Sequence, residues 1–316
     1  MRLLLTGAGG IAGAHLLPAL RRRFPRAVLL CAGREAVAAT DESLPLDLAA
    51  PGDLAPLLRH ARPDAVLHLA AQSDVAESFR DPAGTWAANL GGTLALAEAT
   101  RAAAPDASFV FAGSAESYGL SFQSGLPLAE DAPFRPANPY AASKAAADLA
   151  LGEMALRGLR AVRLRLFTHT GPGQTARFAV PAFARQVARI EAGLAEPVLR
   201  TGALERWRDF CDVADVCGAY CAVLERRDAL EPGVALNICA GTPRRVGDVL
   251  DGLVALAGIS PRVEEDAGLL RPTDVVRVQG DGARALALLG WAPRTPWQDT
   301  LRRVLDDWRA RVRAGE

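Results

Sequence analysis

Short runs of aliphatic residues recur along the chain, and alanine-rich stretches that carry a polar face separate them. The runs fall near residues 2–6, 27–32, 64–69, 107–113, 160–166 and 234–238, with a short one near 44–47. Continuous apolar runs of this length are typical of parallel strands that are buried on both faces. The stretches between them predict helices, including 11–23, 83–103 and 139–157. This alternation predicts a doubly wound α/β fold with a parallel sheet.

The first predicted strand runs directly into a turn rich in glycine. Glycines occupy positions 7, 10 and 13, and Ile11 opens the following helix. Small residues at such a turn let the backbone approach a pyrophosphate at the helix N-terminus. A tight structural turn is the alternative interpretation. The position of the turn, directly after a strand, favours a Rossmann-like, dinucleotide-binding sheet in which Gly7, Gly10, Ile11 and Gly13 contact the cofactor.

The end of the second strand bears on the choice of dinucleotide. Arg34 stands where NAD-binding proteins usually carry an acidic residue for the ribose hydroxyls. An arginine there suits a 2′-phosphate, so we expect NADP(H) rather than NAD(H). Asp47 and Leu48, after the short third strand, are candidates to frame the adenine. Ordinary surface positions are the alternative for Arg34 and Asp47.

The chain contains one lysine, Lys144, which follows Tyr140 by four residues. Residues four apart share a helix face, so the ammonium can lie beside the phenol. A nearby positive charge favours the phenolate, and we therefore expect the pKa of Tyr140 to fall from about 10 towards the working pH. This pair predicts a general acid/base, whereas a solvated surface lysine is the alternative.

Two further strand ends carry candidate residues. In an open parallel sheet, ligands bind beyond the carboxyl ends of the strands. After the fourth strand we expect a cofactor contact from Leu69, Ala70 and Ala71 and a substrate contact from Gln72. Ser114 ends the fifth strand and can hydrogen-bond the oxygen that Tyr140 also binds, and Glu116 follows it. A serine in such a loop is otherwise an ordinary turn residue.

Composition excludes several classes of protein. The 316 residues include 36 basic and 36 acidic side chains, so the bulk attraction that nucleic acids or anionic membranes require is missing. No apolar stretch reaches the roughly 18 residues of a membrane span, and a strand starts at once without a signal peptide, so we expect a cytoplasmic protein. Five cysteines without C-x-x-C spacing predict neither disulfides nor a metal site.

Together these motifs resemble the extended short-chain dehydrogenase/reductase family along essentially the whole chain. The resemblance implies a catalytic set of Ser114, Tyr140 and Lys144. It also implies that the protein is an oxidoreductase that acts with a nicotinamide cofactor. It also implies that Lys144 and Tyr140 contact the cofactor and that His169 does so from the later loop. Asn89 matches a helix asparagine that organises the site in many members, and a packing role is the alternative.

The C-terminal half resembles one group within that family, the GDP-6-deoxy-D-mannose reductases. The matching segments are residues 166–174, 208–213 and 270–274. The resemblance implies reduction of a GDP-linked 4-keto-6-deoxyhexose to GDP-D-rhamnose. GDP-mannose 4,6-dehydratases share the glutamate of the Ser114–Glu116 segment but differ in the loop at 169–174. A dehydratase, with Glu116 as the base that removes the C5 proton, therefore remains an alternative.

The same resemblance assigns substrate residues. Arg208 and Arg271 are candidates for the diphosphate, and Thr168, with Ser114, Glu116 and Tyr140, for the sugar. Thr168 departs from the asparagine that is typical of the family, and Cys211 replaces an expected threonine. The departure at Thr168 can alter a contact with the sugar or a phosphate.

The regularity of the pattern loosens after residue 166, which predicts a smaller C-terminal lobe. We expect residues 1–166 plus about 209–239 to form the dinucleotide-binding domain. Residues of about 167–208 plus 240–316 would form the nucleotide-sugar-binding lobe. Relatives imply a homodimer. Two alternatives stay open: a nucleotide-sugar epimerase, and a redox sensor that binds NADP without turnover.

Overall fold

The structure, a computed structural model, describes residues 1–269 and 275–316. Arg271, a predicted substrate residue, lies outside the described residues. The strands are β1 (Arg2–Thr6), β2 (Val28–Gly33), β3 (Glu42–Pro45), β4 (Ala65–His68), β5 (Ser108–Ser114), β6 (Arg160–Leu166), β7 (Thr168–Thr170), β8 (Val198–Thr201), β9 (Trp207–Arg208), β10 (Phe210–Asp212), β11 (Val234–Ile238), β12 (Arg244–Arg245) and β13 (Arg262–Glu265). The helices are α1 (Ile11–Arg23), α2 (Ala55–Ala61), α3 (Val75–Arg80), α4 (Pro82–Trp86), α5 (Gly92–Ala103), α6 (Pro139–Leu156), α7 (Ala179–Glu191), α8 (Val213–Arg226), α9 (Val246–Ala257), α10 (Ala283–Leu289) and α11 (Trp297–Arg313).

Seven parallel strands form the central sheet, in the order β11-β6-β5-β4-β1-β2-β3. The predicted doubly wound, Rossmann-like fold is confirmed, including the return of the late strand β11 to the sheet beside β6. The chain order reverses between β1 and β4, and this switch point opens a crevice at the carboxyl ends of both strands.

Alternation of side chains along β1 feeds two hydrophobic cores, one on each face of the sheet. Leu3 and Leu5 pack with residues of α1 and α8, whereas Leu4 packs with residues of α2, α5 and α6. All three leucines are completely buried. Coverage on both faces explains why the central strands read as continuous apolar runs in the sequence.

The single helix predicted over 83–103 is wrong in detail. Helix α4 ends at Trp86, a turn of π-helix spans Ala87–Gly91, and α5 then begins at Gly92. A side chain at Gly92 would place its Cβ 2.5 Å from the carbonyl oxygen of Leu48, so only glycine fits this close approach. The wide turn carries Asn89, which is fully buried.

The C-terminal lobe packs around its own core. Helices α7, α9 and α11 contribute most of that core, and Trp308 at its centre is 1% exposed. Short strand pairs, β13 with β8 and β12 with β9, border it. Across residues 1–269 and 275–316, no helix combines the length and apolar character that a membrane span requires.

Candidate active site

A cleft of about 1720 Å³ opens at the carboxyl edge of the sheet and extends to the C-terminal lobe. Its walls bring together most of the residues that were singled out from the sequence. These are Gly7, Gly10, Ile11, Arg34, Asp47, Leu48, Leu69, Ala70, Ala71, Gln72, Ser114, Glu116, Tyr140, Lys144, Thr168, His169 and Arg208. Gly13 and Asn89 are not among the described residues of the wall, and both support it from behind.

The glycine turn is shaped by close backbone contacts. Gly7 has a φ of +74°, and a Cβ there would lie 2.6 Å from the amide nitrogen of Ala70. A Cβ on Gly13 would lie 2.5 Å from the Cα of Ala8, so Gly13 lets α1 pack on the turn rather than line the cleft. The N-cap Gly10 offers no side chain to bond the first amides of α1. Those amides are left to a ligand or solvent.

Helix α6 delivers two of the candidate catalytic side chains. Asn138 caps it by accepting a hydrogen bond from the Ala141 amide at 2.7 Å, and Pro139 occupies the first helical position. Tyr140 therefore stands in the first turn and Lys144 one turn further. Ser114, at the end of β5, lies near enough to the Tyr140 phenol for a hydrogen bond from it to lower the pKa of Tyr140.

The expected fall in the pKa of Tyr140 is wrong for this structure. Burial raises the pKa of Tyr140 to about 12, the hydrogen bond to Ser114 opposes that rise, and the charge of Glu116 adds to it. Burial also lowers the pKa of Lys144 to about 7, while Asp148 partly opposes this. The sequence showed the proximity of the pair but not its desolvation, which disfavours both charged forms.

The titration of Lys144 can be observed directly because the chain has no other lysine. In protein labelled with ¹³C-lysine, we expect one Cε signal that titrates near pH 7 in the free protein. Lys144→Met should remove the signal and so confirm its assignment. A midpoint near the ordinary value of 10.5 would show that the ammonium is solvated.

Folding and this titration are linked. Between about pH 7 and 10.5 the unfolded chain keeps the Lys144 proton while the native chain releases it. The unfolded state then binds more protons, so the contribution of Lys144 to the free energy of unfolding rises with pH. Wild type should gain stability relative to Lys144→Met across this window in urea unfolding, and parallel pH curves for both proteins would contradict the assignment.

Asn89 connects the loop after β4 to α6. Its Oδ1 accepts from the Gln72 amide at 2.8 Å, and its Nδ2 donates to the Gln72 carbonyl at 2.9 Å and to Ser143 Oγ at 3.0 Å. Ser143 Oγ in turn donates to the Tyr140 carbonyl at 2.8 Å. Gln72 uses its own side chain to hold Thr85 and Asp74.

The lobe side of the cleft is rich in arginine. Arg208 donates to the carbonyls of Trp207 and Val275, both at 2.9 Å, which fixes its guanidinium at the wall. Arg177, Arg200 and Arg206 line the same cleft and were missed. With 35 arginines in the chain, residue type alone gave no signal for them.

Two other wall residues occupy β7. Thr168 is exposed, whereas His169 is half-buried with Nδ1 3.0 Å from the Phe167 carbonyl oxygen. Burial lowers the pKa of His169. A neutral imidazole at this wall suits a contact with an uncharged part of a ligand.

Sequence reasoning also missed Asp148. It lies one further turn along α6, is 1% exposed and forms ion pairs with Arg163 at 2.8 Å and Arg165 at 3.0 Å. The spacing of four from Tyr140 to Lys144 to Asp148 was visible in the sequence. The electrostatic effect of Asp148 on Lys144 depends on burial, and burial could not be read from the sequence.

Comparison with known proteins places this site in context. The chain is 36% identical over 313 residues to GDP-6-deoxy-D-mannose reductase from Pseudomonas aeruginosa, covering 99% of this chain and 98% of that protein. It is 33% identical over 251 residues to GDP-mannose 4,6 dehydratase 1 from Arabidopsis thaliana, covering 78% and 68%. The structure of RMD from Pseudomonas aeruginosa complexed with NADPH aligns with a TM-score of 0.87 and 34% identity, over 98% of this chain and all of that one.

A family model describes the part of the chain that carries the sheet and the paired Tyr140 and Lys144. It matches residues 3–239, three quarters of the sequence. The chain therefore belongs to the NAD dependent epimerase/dehydratase family.

Proposed function

We propose that this protein reduces the C4 ketone of GDP-4-dehydro-6-deoxy-D-mannose to GDP-D-rhamnose with NADPH. The observation that carries the proposal is that Ser114, Tyr140 and Lys144 line one cleft, which also holds the glycine turn. The full-length similarity to a GDP-6-deoxy-D-mannose reductase supports the choice of substrate. The reduced cofactor of the aligned RMD structure supports NADPH.

The residues present fit a dinucleotide. The uncapped start of α1 suits a diphosphate, and Arg34 lies exposed at the cleft, where it suits a 2′-phosphate. Asp47 and Leu48, which line the cleft, are the candidates to frame the adenine. Tyr220 adds a second indication: it lines the cleft, is 1% exposed, and its hydroxyl has no hydrogen-bond partner among the described residues. Buried hydroxyls normally have a partner, which a ligand or its enclosed water would provide.

The chain's own groups would carry the proton chemistry. A reduced nicotinamide, when bound, supplies the hydride for C4. Because its pKa is about 12, Tyr140 is protonated near neutral pH and can donate its proton to the developing alkoxide. Ser114 hydrogen-bonds the same oxygen and so stabilises its charge. Lys144 then offsets the charge of the phenolate that remains.

Glu116 keeps dehydration as a second candidate activity. It lines the cleft, its charge reaches Tyr140, and Asn138 Nδ2 lies 3.5 Å from its Oε2. A carboxylate there can remove a proton next to a ketone. Conversion of GDP-mannose to its 4-keto derivative by the purified protein would establish that activity.

We assign the nucleotide part of the substrate to the C-terminal lobe, residues of about 167–208 plus 240–316, with the dinucleotide in the rest. Arg208 is the candidate for the diphosphate among the described residues, because a guanidinium suits phosphate oxygens. Thr168, exposed on β7, and Gln72, which lines the same cleft, are the candidates for a sugar contact. Thermal shift with GDP alone, in wild type and Arg208→Ala, tests this assignment: equal shifts would remove Arg208 from it.

The proposed reaction is tested by mass spectrometry. Purified protein and NADPH are incubated with GDP-, UDP- and dTDP-linked 4-ketosugars, and we expect the GDP-linked compound alone to gain two hydrogen atoms. Interconversion of UDP-glucose and UDP-galactose would make the protein an epimerase. Tight NADPH binding without turnover of any sugar would favour the redox sensor.

Arg34→Ala should lower the affinity for NADPH by about tenfold or more, because a charge-assisted hydrogen bond contributes about 1.5–3 kcal/mol. The affinity for NADH should be unchanged, since it lacks the 2′-phosphate. Isothermal titration measures both, with the exposed Arg26, outside the cleft wall, as the Arg26→Ala control. Equal losses for both dinucleotides would remove the phosphate role of Arg34.

We also propose a homodimer. Leu149 and Leu156 are 61% and 88% exposed and lie seven residues apart on one face of α6, where a second copy would cover them. Sedimentation velocity would report the dimer.

The five free, buried cysteines support a reducing, cytoplasmic location.

A further inference from the structure

His68 is a buried histidine that takes no part in the proposed proton transfer. It ends β4 and is 1% exposed. Its Nδ1 lies 2.7 Å from Thr6 Oγ1, and its Nε2 lies 2.9 Å from Thr93 Oγ1. A polar side chain held so completely inside the sheet carries a desolvation cost, which its two hydroxyl partners offset.

The other partners of Thr6 and Thr93 determine which atom donates in each of these hydrogen bonds. Thr93 Oγ1 donates its only proton to the Asn89 carbonyl at 2.6 Å, so it must accept from His68, whose Nε2 then carries the proton. Thr6 Oγ1 accepts from the Ala70 amide at 3.3 Å and can donate to Nδ1. Burial and the charge of Lys144 lower the pKa of His68 to about 3, which keeps the ring neutral.

This series of hydrogen bonds joins two parts of the cleft. At one end Thr6 precedes Gly7, and the Ala70 amide lies against that same glycine. At the other end the Asn89 side chain holds Ser143 Oγ, which bonds the Tyr140 carbonyl. A series of hydrogen bonds, each donating in the same direction, therefore runs from the loop beside Gly7 to the π-helical turn. From that turn the Asn89 side chain contacts α6, which carries Tyr140.

We propose that neutral His68, with its proton on Nε2, is a positioning residue. It keeps the glycine turn at Gly7 and the first turn of α6, which carries Tyr140, in a fixed relative position. This role rests on the proposed reductase function. Thr93 transmits this effect because its hydroxyl bridges the His68 ring and the Asn89 carbonyl.

Two threonines of α5 provide a matched pair for the test. Thr93 and Thr100 are both buried, and each donates to the carbonyl four residues earlier, at 2.6 and 2.7 Å. Only Thr93 also meets His68. In Thr93→Val we expect kcat to fall about tenfold and NADPH affinity to fall a few-fold, the size of one lost orienting hydrogen bond. Thr100→Val should leave both values within about twofold.

The outcomes separate the two proposals. If wild type reduces no 4-ketosugar, the proposed function fails, and NADPH affinity still tests the positioning role. Equal effects of both valine variants on turnover and affinity would overturn the role of His68.

A second measurement uses the unmodified protein. The chain has four histidines, so ¹⁵N-histidine NMR can resolve each ring. His68→Gln assigns the signal. We expect a neutral ring protonated at Nε2 that does not titrate between pH 5 and 8. Protonation at Nδ1, or a midpoint near 6.5, would overturn the inference.

Discussion

Tyr140→Phe is expected to lower kcat by about a thousandfold while the affinity for NADPH and the fold persist. The phenol lines the cleft together with Ser114, whose hydrogen bond opposes the rise in the pKa of Tyr140, and phenylalanine removes the transferable proton with little change of shape. Positioned general acids contribute about 10²- to 10⁴-fold to rates. Single-turnover oxidation of NADPH with a 4-ketosugar would measure the loss without interference from product release.

Tyr118→Phe is the matched control. Tyr118 is completely buried, and its hydroxyl bonds Asn237 at 2.8 Å and Arg165 at 2.9 Å, away from the proposed chemistry. We expect this variant to lose stability and to keep its single-turnover rate. If Tyr118→Phe and Tyr140→Phe slowed the reaction equally, the phenol of Tyr140 would not be the proton donor.

Lys144→Arg is expected to lower turnover by about a hundredfold or more, roughly 2.7 kcal/mol of transition-state stabilisation. Arginine is also a cation, and the chain uses it in place of lysine at every other such position. Lys144 is 3% exposed, and its Nζ lies 4.5 Å from the centre of the Phe111 ring. A planar guanidinium is too wide for this position and would displace the Tyr140 phenol.

Lys144→Met separates size from charge, because it keeps an unbranched side chain of nearly the same length and removes the ammonium. If positioning of a compact cation is what matters, both variants should be slow. Circular dichroism and NADPH titration would show whether the fold and the dinucleotide site survive. An arginine variant with near-normal turnover and an unchanged pH profile would contradict the role given to Lys144.

The sheet could be predicted because its strands are covered on both faces. The segment 27–32 is an unbroken apolar run in the sequence, and β2 occupies Val28–Gly33. The strand predicted near 44–47 lies at Glu42–Pro45 instead. As an edge strand, exposed along most of its length, it carries a weak hydrophobic signal.

The electrostatics of the site and its inner connections could not be predicted in this way. Spacing placed Lys144 beside Tyr140, but the direction of both pKa shifts follows from burial that only the folded chain has. The π turn at Ala87–Gly91 has the composition of an ordinary helix. His68 stood alone in an apolar strand, which signals a satisfied buried group but not its partners, Thr6 and Thr93.

Transfer of deuterium tests the proposed reduction most directly. NADPH that carries deuterium at both C4 positions of the nicotinamide is incubated with the protein and GDP-4-dehydro-6-deoxy-D-mannose, and the product is examined by NMR and mass spectrometry. The account predicts GDP-D-rhamnose with one deuterium, at C4 of the sugar, and an equal amount of oxidised NADP. A product without deuterium, or GDP-4-dehydro-6-deoxy-D-mannose recovered unchanged while NADPH stays bound and reduced, would contradict it.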